Sequence, residues 1–215
     1  MATQMTSYPA NLSIDYPDRK LNRLTSFFRF FTSIPIWIIV ALLVGITFQG
    51  RDWGRGGDGW HWGLYTAGLV VLPTLLMILF RQKYPKWWFD WNVALVKFSA
   101  RVSAYLALMR DEYPSTDEDQ AVHIDLPYPD VKKDLNRWLS LVKWSLAIPH
   151  IIVLVFLGIA ATVCMIIAWF AILFTGRYPK GLFDFVLGVF RWSLRVEAYA
   201  FLLITDKYPP FALSS

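Results

Sequence analysis

Residues 148–174 read IPHIIVLVFLGIAATVCMIIAWFAILF, 27 consecutive positions without an Asp, Glu, Lys or Arg, and GRYPKGLFDF follows at 176–185. A helix needs about 20 predominantly apolar residues to cross the hydrocarbon core of a bilayer, so a membrane is the natural solvent for this run. The rest of the chain agrees. Of its 215 residues 56% are hydrophobic, where a soluble domain has about 45–50%. The formal charge is +5, and the Lys and Arg residues sit beside apolar segments instead of forming a separate basic face. That pattern points to an anionic membrane leaflet as the counter-charge and not to nucleic acid. The single cysteine, Cys164, excludes an intramolecular disulfide and a thiolate metal cluster. The polar stretch before Phe27 has no early charged region, which argues against a cleaved secretory signal.

Outward from the run, the second half of the chain replays the first. Tyr128-Pro129-Asp130 answers Tyr16-Pro17-Asp18, and Leu135-Asn136-Arg137 answers Leu21-Asn22-Arg23. Ile148-Pro149 stands at the same offset as Ile34-Pro35, and Tyr178-Pro179-Lys180 matches Tyr84-Pro85-Lys86. Asp206-Lys207-Tyr208-Pro209 closes the second copy as Asp111-Glu112-Tyr113-Pro114 closes the first. The expected division is therefore a first membrane repeat over 1–114, an acidic linker over 115–121 and a second membrane repeat over 122–215. Short alternating stretches, 11–15 and 122–125, predict extended segments before each repeat.

The two copies differ in length. Pro35 to Tyr84 is 49 residues and Pro149 to Tyr178 is 29, the surplus falling at the glycine-rich loop 49–63. That loop separates two apolar segments, so the first copy reads as a transmembrane hairpin. For the second copy two readings fit: one long tilted helix, or a hairpin that turns near Gly158. Lys132, Lys133, Arg137 and Lys143 precede the run, and Arg177, Lys180, Arg191 and Arg195 follow it. The positive-inside rule then favours both flanks in the cytoplasm, hence a hairpin. The fold expected is an all-α membrane protein of two tandem repeats, each a transmembrane helical hairpin followed by an amphipathic interfacial helix. The location expected is an inner, cytoplasmic membrane, with both termini in the cytoplasm.

Candidate chemistry is sparse. The amphipathic segments carry Asp90, Lys97 and Arg101 in one copy and Asp184, Arg191 and Arg195 in the other, at spacings of seven and four that put each trio on one helical stripe. On a surface helix these contact anionic headgroups; packed inside, they would mark an ion or anionic-substrate site. Glu197 stands where the first copy has Ser103, either pairing with a nearby base or relaying protons. Asp52, Asp58 and His61 lie among glycines that fix no geometry, so a turn is expected there and no metal. His150 should cap a helix or face the interface. Seven of the ten tyrosines precede proline, which reads as interfacial punctuation. The chain has no P-loop, GxGxxG turn, GxSxG elbow, HExxH helix or CxxC pair.

AIPH at 147–150, AWFAILFTGRYPKGLFDF at 168–185, RWSLRVEAYAFLL at 191–203 and TDKYPPF at 205–211 resemble a bacterial membrane family, domain of unknown function 4389. The first copy resembles it less closely, through DYPDR at 15–19, Ile34-Pro35 and Tyr84-Pro85. The resemblance implies a tandem pair in a bacterial membrane and supplies no activity, cofactor or catalytic residue. Function is accordingly expected to be non-enzymatic and without cofactor. The leading expectation is a structural or accessory partner of a membrane complex or of anionic lipid. The alternative is a small transporter or channel-like protein with its site at the repeat interface.

Overall fold

A computed structural model gives the fold over residues 8–17, 20–36, 72–116, 118 and 120–214, apart from the side chain of Phe30. The glycine-rich loop, its candidates Asp52, Asp58 and His61, and the apolar stretches at 37–48 and 64–71 lie outside the described residues.

Strand β1 (Asn11–Ile14) is followed by two short helices, α1 (Arg23–Phe27) and α2 (Arg29–Thr32). Next come α3 (Leu72–Arg81), which widens to a π-helix over Met77–Arg81, and α4 (Lys86–Leu106). Strand β2 (Val122–Asp125), the single turn α5 (Val131–Asp134), α6 (Arg137–Thr175) and α7 (Lys180–Ala200) complete the order. The protein is mostly helical, as expected.

The alternating stretches do form strands. β1 pairs antiparallel with β2, Leu12 opposite Ile124 and Ile14 opposite Val122, and these four apolar residues are all buried. Alternation at period two sends them to one side of the ribbon, where helices cover them. The cover is crossed: β1 packs on α7 and β2 on α4. Two tyrosines follow the same rule. Tyr16 donates to the carbonyl of Tyr178 and meets Phe183 edge-on at 5.1 Å, while Tyr128 donates to the carbonyl of Tyr84 and meets Phe89 edge-on at 5.1 Å.

Helix α6 overturns the expected turn at Gly158. It runs unbroken for 39 residues through Pro149 and Gly158, from its cap at Asn136 to a left-handed Gly176 (φ 74°). At 1.5 Å per residue it is about 58 Å long. The physical reason is that a turn inside an apolar run would strand backbone N–H and C=O groups, while the one polar side chain close by, Thr162, donates to the Gly158 carbonyl at 2.8 Å within the continuous helix. Keeping the helix costs only about 1 kcal/mol at the glycine and roughly 3 kcal/mol at the proline. With the hairpin goes the inference that both flanks of the run lie on one membrane face.

One stripe of α6 is covered: Ser140, Lys143, Ala147, His150, Ala161, Ala168 and Ile172 are buried, with Leu154, Leu157 and Cys164 partly so. The steps of three and four are those of a seam for packed helices. Helix α7 occupies part of it and runs antiparallel, since Lys143 meets Tyr199 whereas His150 meets Trp192. Around the rest of α6 the side chains point outward, among them Ile152, Val155, Phe156, Ile159, Ile166 and Phe170. Only 11% of its most apolar window is buried, and the helix is long and apolar enough to cross a membrane.

Candidate functional site

Four cations are buried among the described residues, and two of them, Arg29 and Lys143, sit in matching settings. In α2 the guanidinium of Arg29 donates to the carbonyls of Tyr105 and Arg110, each at 2.8 Å, and forms an ion pair with Asp111. It lies over the Tyr105 ring, 4.4 Å from the centroid. In α6 the ammonium of Lys143 donates to the carbonyl of Thr205 at 2.8 Å, pairs with Asp206 at 2.8 Å and lies 5.2 Å from the Tyr199 centroid. Taking either charge out of water would be prohibitive alone. A carboxylate, carbonyl oxygens and the face of an aromatic ring together replace the lost hydration.

Each carboxylate serves a second partner. Asp111 accepts the backbone N–H of Asn22 at 2.8 Å, and Asp206 accepts that of Asn136 at 2.6 Å. Both asparagines cap the helix that follows, their side-chain oxygens accepting from Leu24 and Trp138, each at 3.0 Å. The acids reach these positions because the chain reverses after α4 and after α7 through left-handed leucines, Leu108 (φ 62°) and Leu203 (φ 55°). A non-glycine residue there is strained, so both reversals are held by what surrounds them, Leu203 being wholly buried.

The stripe singled out in the sequence divides. Asp90, Lys97 and Asp184 are exposed. Arg101 is buried and donates to the carbonyl of Ser115 at 2.7 Å. Arg195 is likewise buried and donates to the carbonyls of Ala212, at 3.2 Å, and Ser214. Burial, and then the neighbouring charge of Arg191, hold the Arg195 guanidinium below its usual range. Arg191 is half-buried and its Nε donates to the carbonyl of Leu12 at 2.8 Å, tying α7 to β1. These arginines therefore fasten the chain to itself.

Glu197 does not pair: no hydrogen bond or ion pair reaches its carboxyl among the described residues. Burial pushes it up to about 7. His150, expected at an interface, is fully buried. Trp192 donates to its Nδ1 at 3.1 Å and Phe211 stacks on its ring at 3.9 Å. That bond places the ring proton on Nε2, which has no acceptor among the described residues.

The sequence reading missed Arg29, Lys143, Asp111 and Asp206 as interacting groups. A signal was present, since Arg29 and Lys143 are basic residues equally spaced from Asn22 and Asn136. The acids, however, were visible only as the closing residues of each copy. Their distance in sequence, 82 and 63 residues from the cations they meet, hides the pairing.

A family model described as a domain of unknown function (DUF4389) matches residues 137–212, which take in α6, α7 and the closing segment with Asp206. The match is found once, over the second of the two expected copies. No curated protein and no solved structure matches the chain.

Proposed function

We propose that this is an integral membrane protein built by duplication, non-enzymatic, which acts as a structural or accessory partner of a membrane complex or of anionic lipid. The observation that carries the reading is the outward face of α6, apolar from Ile148 to Phe174 and largely uncovered. In water such a face would be an aggregation site; in a bilayer lipid or a partner helix covers it. α6 is then one tilted span, longer than the roughly 30 Å core it crosses.

Duplication is supported by the paired clusters. Asn22, Arg29, Tyr105, Leu108 and Asp111 do what Asn136, Lys143, Tyr199, Leu203 and Asp206 do, at positions that the sequence aligns. The reading of an accessory role over a transporter rests on the duplicated arginines. Arg101 and Arg195 are buried, but one Nη of Arg101 and both Nη of Arg195 are engaged by backbone carbonyls of the chain itself. The anionic-lipid partner is supported by the exposed basic residues at the ends of α6, with exposed Trp138 beside the N-terminal set.

The test is mild extraction of the tagged protein from its native membrane, with size analysis and mass spectrometry of proteins and lipids that travel with it. A stoichiometric protein or retained anionic lipid is expected. A protein that leaves the membrane in salt alone, or one that conducts ions when reconstituted by itself, would overturn the reading.

A further inference from the structure

Two places in the fold should look alike and do not. At the C-terminal end of α6, residues 20–23 close directly onto Gly176. The N–H of Leu21 donates to the Gly176 carbonyl at 2.9 Å, Arg23 donates to the Phe174 carbonyl at 3.2 Å, and the Lys20 side chain lies where a Cβ on Gly176 would meet it at 3.6 Å. The counterpart of Gly176 at the end of α3 is Gln82, also left-handed (φ 46°). A side chain there holds off the opposing segment, and instead of a closed joint there is a cleft of about 440 Å³ lined by Gln82, Lys133, Asn136, Arg137 and Trp138. The cleft is wide open to solvent, as suits a headgroup held at the membrane surface and not an enclosed ligand. Through Gln82 it borders a second hollow of about 650 Å³ that adds Lys83, Lys86 and Lys132.

The charge of the cleft is net positive. Two carboxylates line it: Asp206 is neutralised by Lys143 and also accepts the Asn136 N–H, while Asp134 accepts the N–H of Asp130 at 3.1 Å and keeps its charge, which leaves Lys133 and Arg137 in excess by one. Lys133 stands 3.5 Å from Asp130, an exposed pair that contributes little. Lys133 and Arg137 therefore face a ligand with their charge largely unspent. Trp138, 72% exposed on the first turn of α6, sets the depth. An indole at the end of an apolar helix belongs at the headgroup level.

We propose that this cleft is a binding site for the phosphate of an anionic membrane lipid, held by Lys133 and Arg137 with Gln82 as a polar wall and the acyl chains directed along α6. The proposal rests on the membrane reading above. Guanidinium and ammonium donors suit a phosphate monoanion or diester, and a lipid source is favoured because the cleft sits at the N-terminal end of α6, from which exposed Trp138, Leu141, Val142 and Trp144 lead to the apolar run.

Binding of short-chain phosphatidylglycerol to the full-length protein in detergent, followed by native mass spectrometry, tests it. Phosphatidylcholine and inorganic phosphate serve as comparison ligands, and flotation of the protein with vesicles is measured in parallel. Gln82→Gly keeps every charge but lets residues 134–137 close as residues 20–23 do; Lys133→Gln with Arg137→Gln removes the donors. Each change should weaken phosphatidylglycerol at least about tenfold, while Arg177→Gln with Lys180→Gln at the closed joint changes it less than about threefold. Equal losses in both double variants, an unaffected Gln82→Gly, or inorganic phosphate binding as tightly as the lipid would overturn the site while flotation persists. Failure of the wild-type protein to float would instead sink the membrane reading, and the site with it.

Discussion

Replacing Asp206 by alanine is the sharpest perturbation the structure offers. The side chain of Lys143 is fully buried, and Asp206 is the only carboxylate within ion-pair distance of it among the described residues. At 2.8 Å and an effective dielectric constant of about 20 the pair attracts by roughly 6 kcal/mol, most of which offsets the desolvation of the two charges. Removing one partner strands the other and typically costs 3–5 kcal/mol. Asp206→Ala also strips the acceptor from the Asn136 N–H at the start of α6, a loss of about 1–3 kcal/mol that water moderates because Asp206 is 23% exposed. The expected total is about 4 kcal/mol, or a fall in Tm of roughly 8–16 °C for a chain of this size.

The informative comparison is Lys143→Met with Asp206→Asn, which removes both charges and leaves an amide oxygen for Asn136. It should cost about 1 kcal/mol, since a buried pair replaced as a unit is nearly neutral. Cys164, half-buried on the covered stripe of α6 and the only cysteine, reports unfolding through a thiol-reactive dye without further engineering. If Asp206→Ala lowers Tm by no more than 2 °C, or the double variant falls as far as the single one, the paired-cation account of the interior is wrong.

Three further outcomes are expected. Because burial raises Glu197 from 4.5 to about 7, the folded state holds a proton that the unfolded state releases between those values. Stability should therefore fall as pH rises from about 4.5 to 7, by about 3 kcal/mol in all, and Glu197→Gln should abolish that slope; a wild-type profile parallel to the variant's contradicts it. Gly188→Ala places a Cβ 2.9 Å from that of Leu213, so residues 205–214 should lift off α7 at a cost of about 1–3 kcal/mol, seen as faster amide exchange in that segment. Nitroxides scanned along α6 in liposomes should find Ile152, Ile159 and Ile166 open to a lipid-soluble relaxant and Ala161 shielded; a uniform response along the helix rejects the bilayer assignment.

What could be read from the sequence depended on the range of the interaction. Local patterns were legible: the alternation of 11–14 and 122–125 became strands, and the amphipathic stretches after Tyr84-Pro85 and Tyr178-Pro179 became α4 and α7. The turn at Gly158 was misread because the positive-inside rule was asked to decide a local geometry. Charge bias can orient a span, but a glycine whose carbonyl is held within the helix by Thr162 does not end one inside an apolar run. The stripe was legible as a stripe, and its burial was not. A helical wheel places Arg195 beside Arg191 without indicating that a tail returning 17 residues later supplies its carbonyl. The cations of the interior were hidden for the same reason, since both acids arrive from the far end of an intervening helix.

The crossing of the leaders bears on why the two halves stay together. β1 covers α7 and β2 covers α4, while β1 and β2 pair with one another. On the proposed duplication, each copy therefore lends its first segment to the other, as in a swapped dimer whose partners have been joined by residues 115–121. A half expressed alone would expose the face of its amphipathic helix, with Phe183 or Phe89 deprived of one of the two tyrosines it meets, and would carry an unpaired strand edge. Two separate copies of either half could restore those contacts only by pairing with each other. Fusion converts that bimolecular step into an intramolecular one, with an effective concentration in the millimolar range for a short linker. It also frees the two ends of the fold to diverge, and the difference between Gly176, where the joint is closed, and Gln82, where it stands open, is the kind of asymmetry that a symmetric pair could not hold.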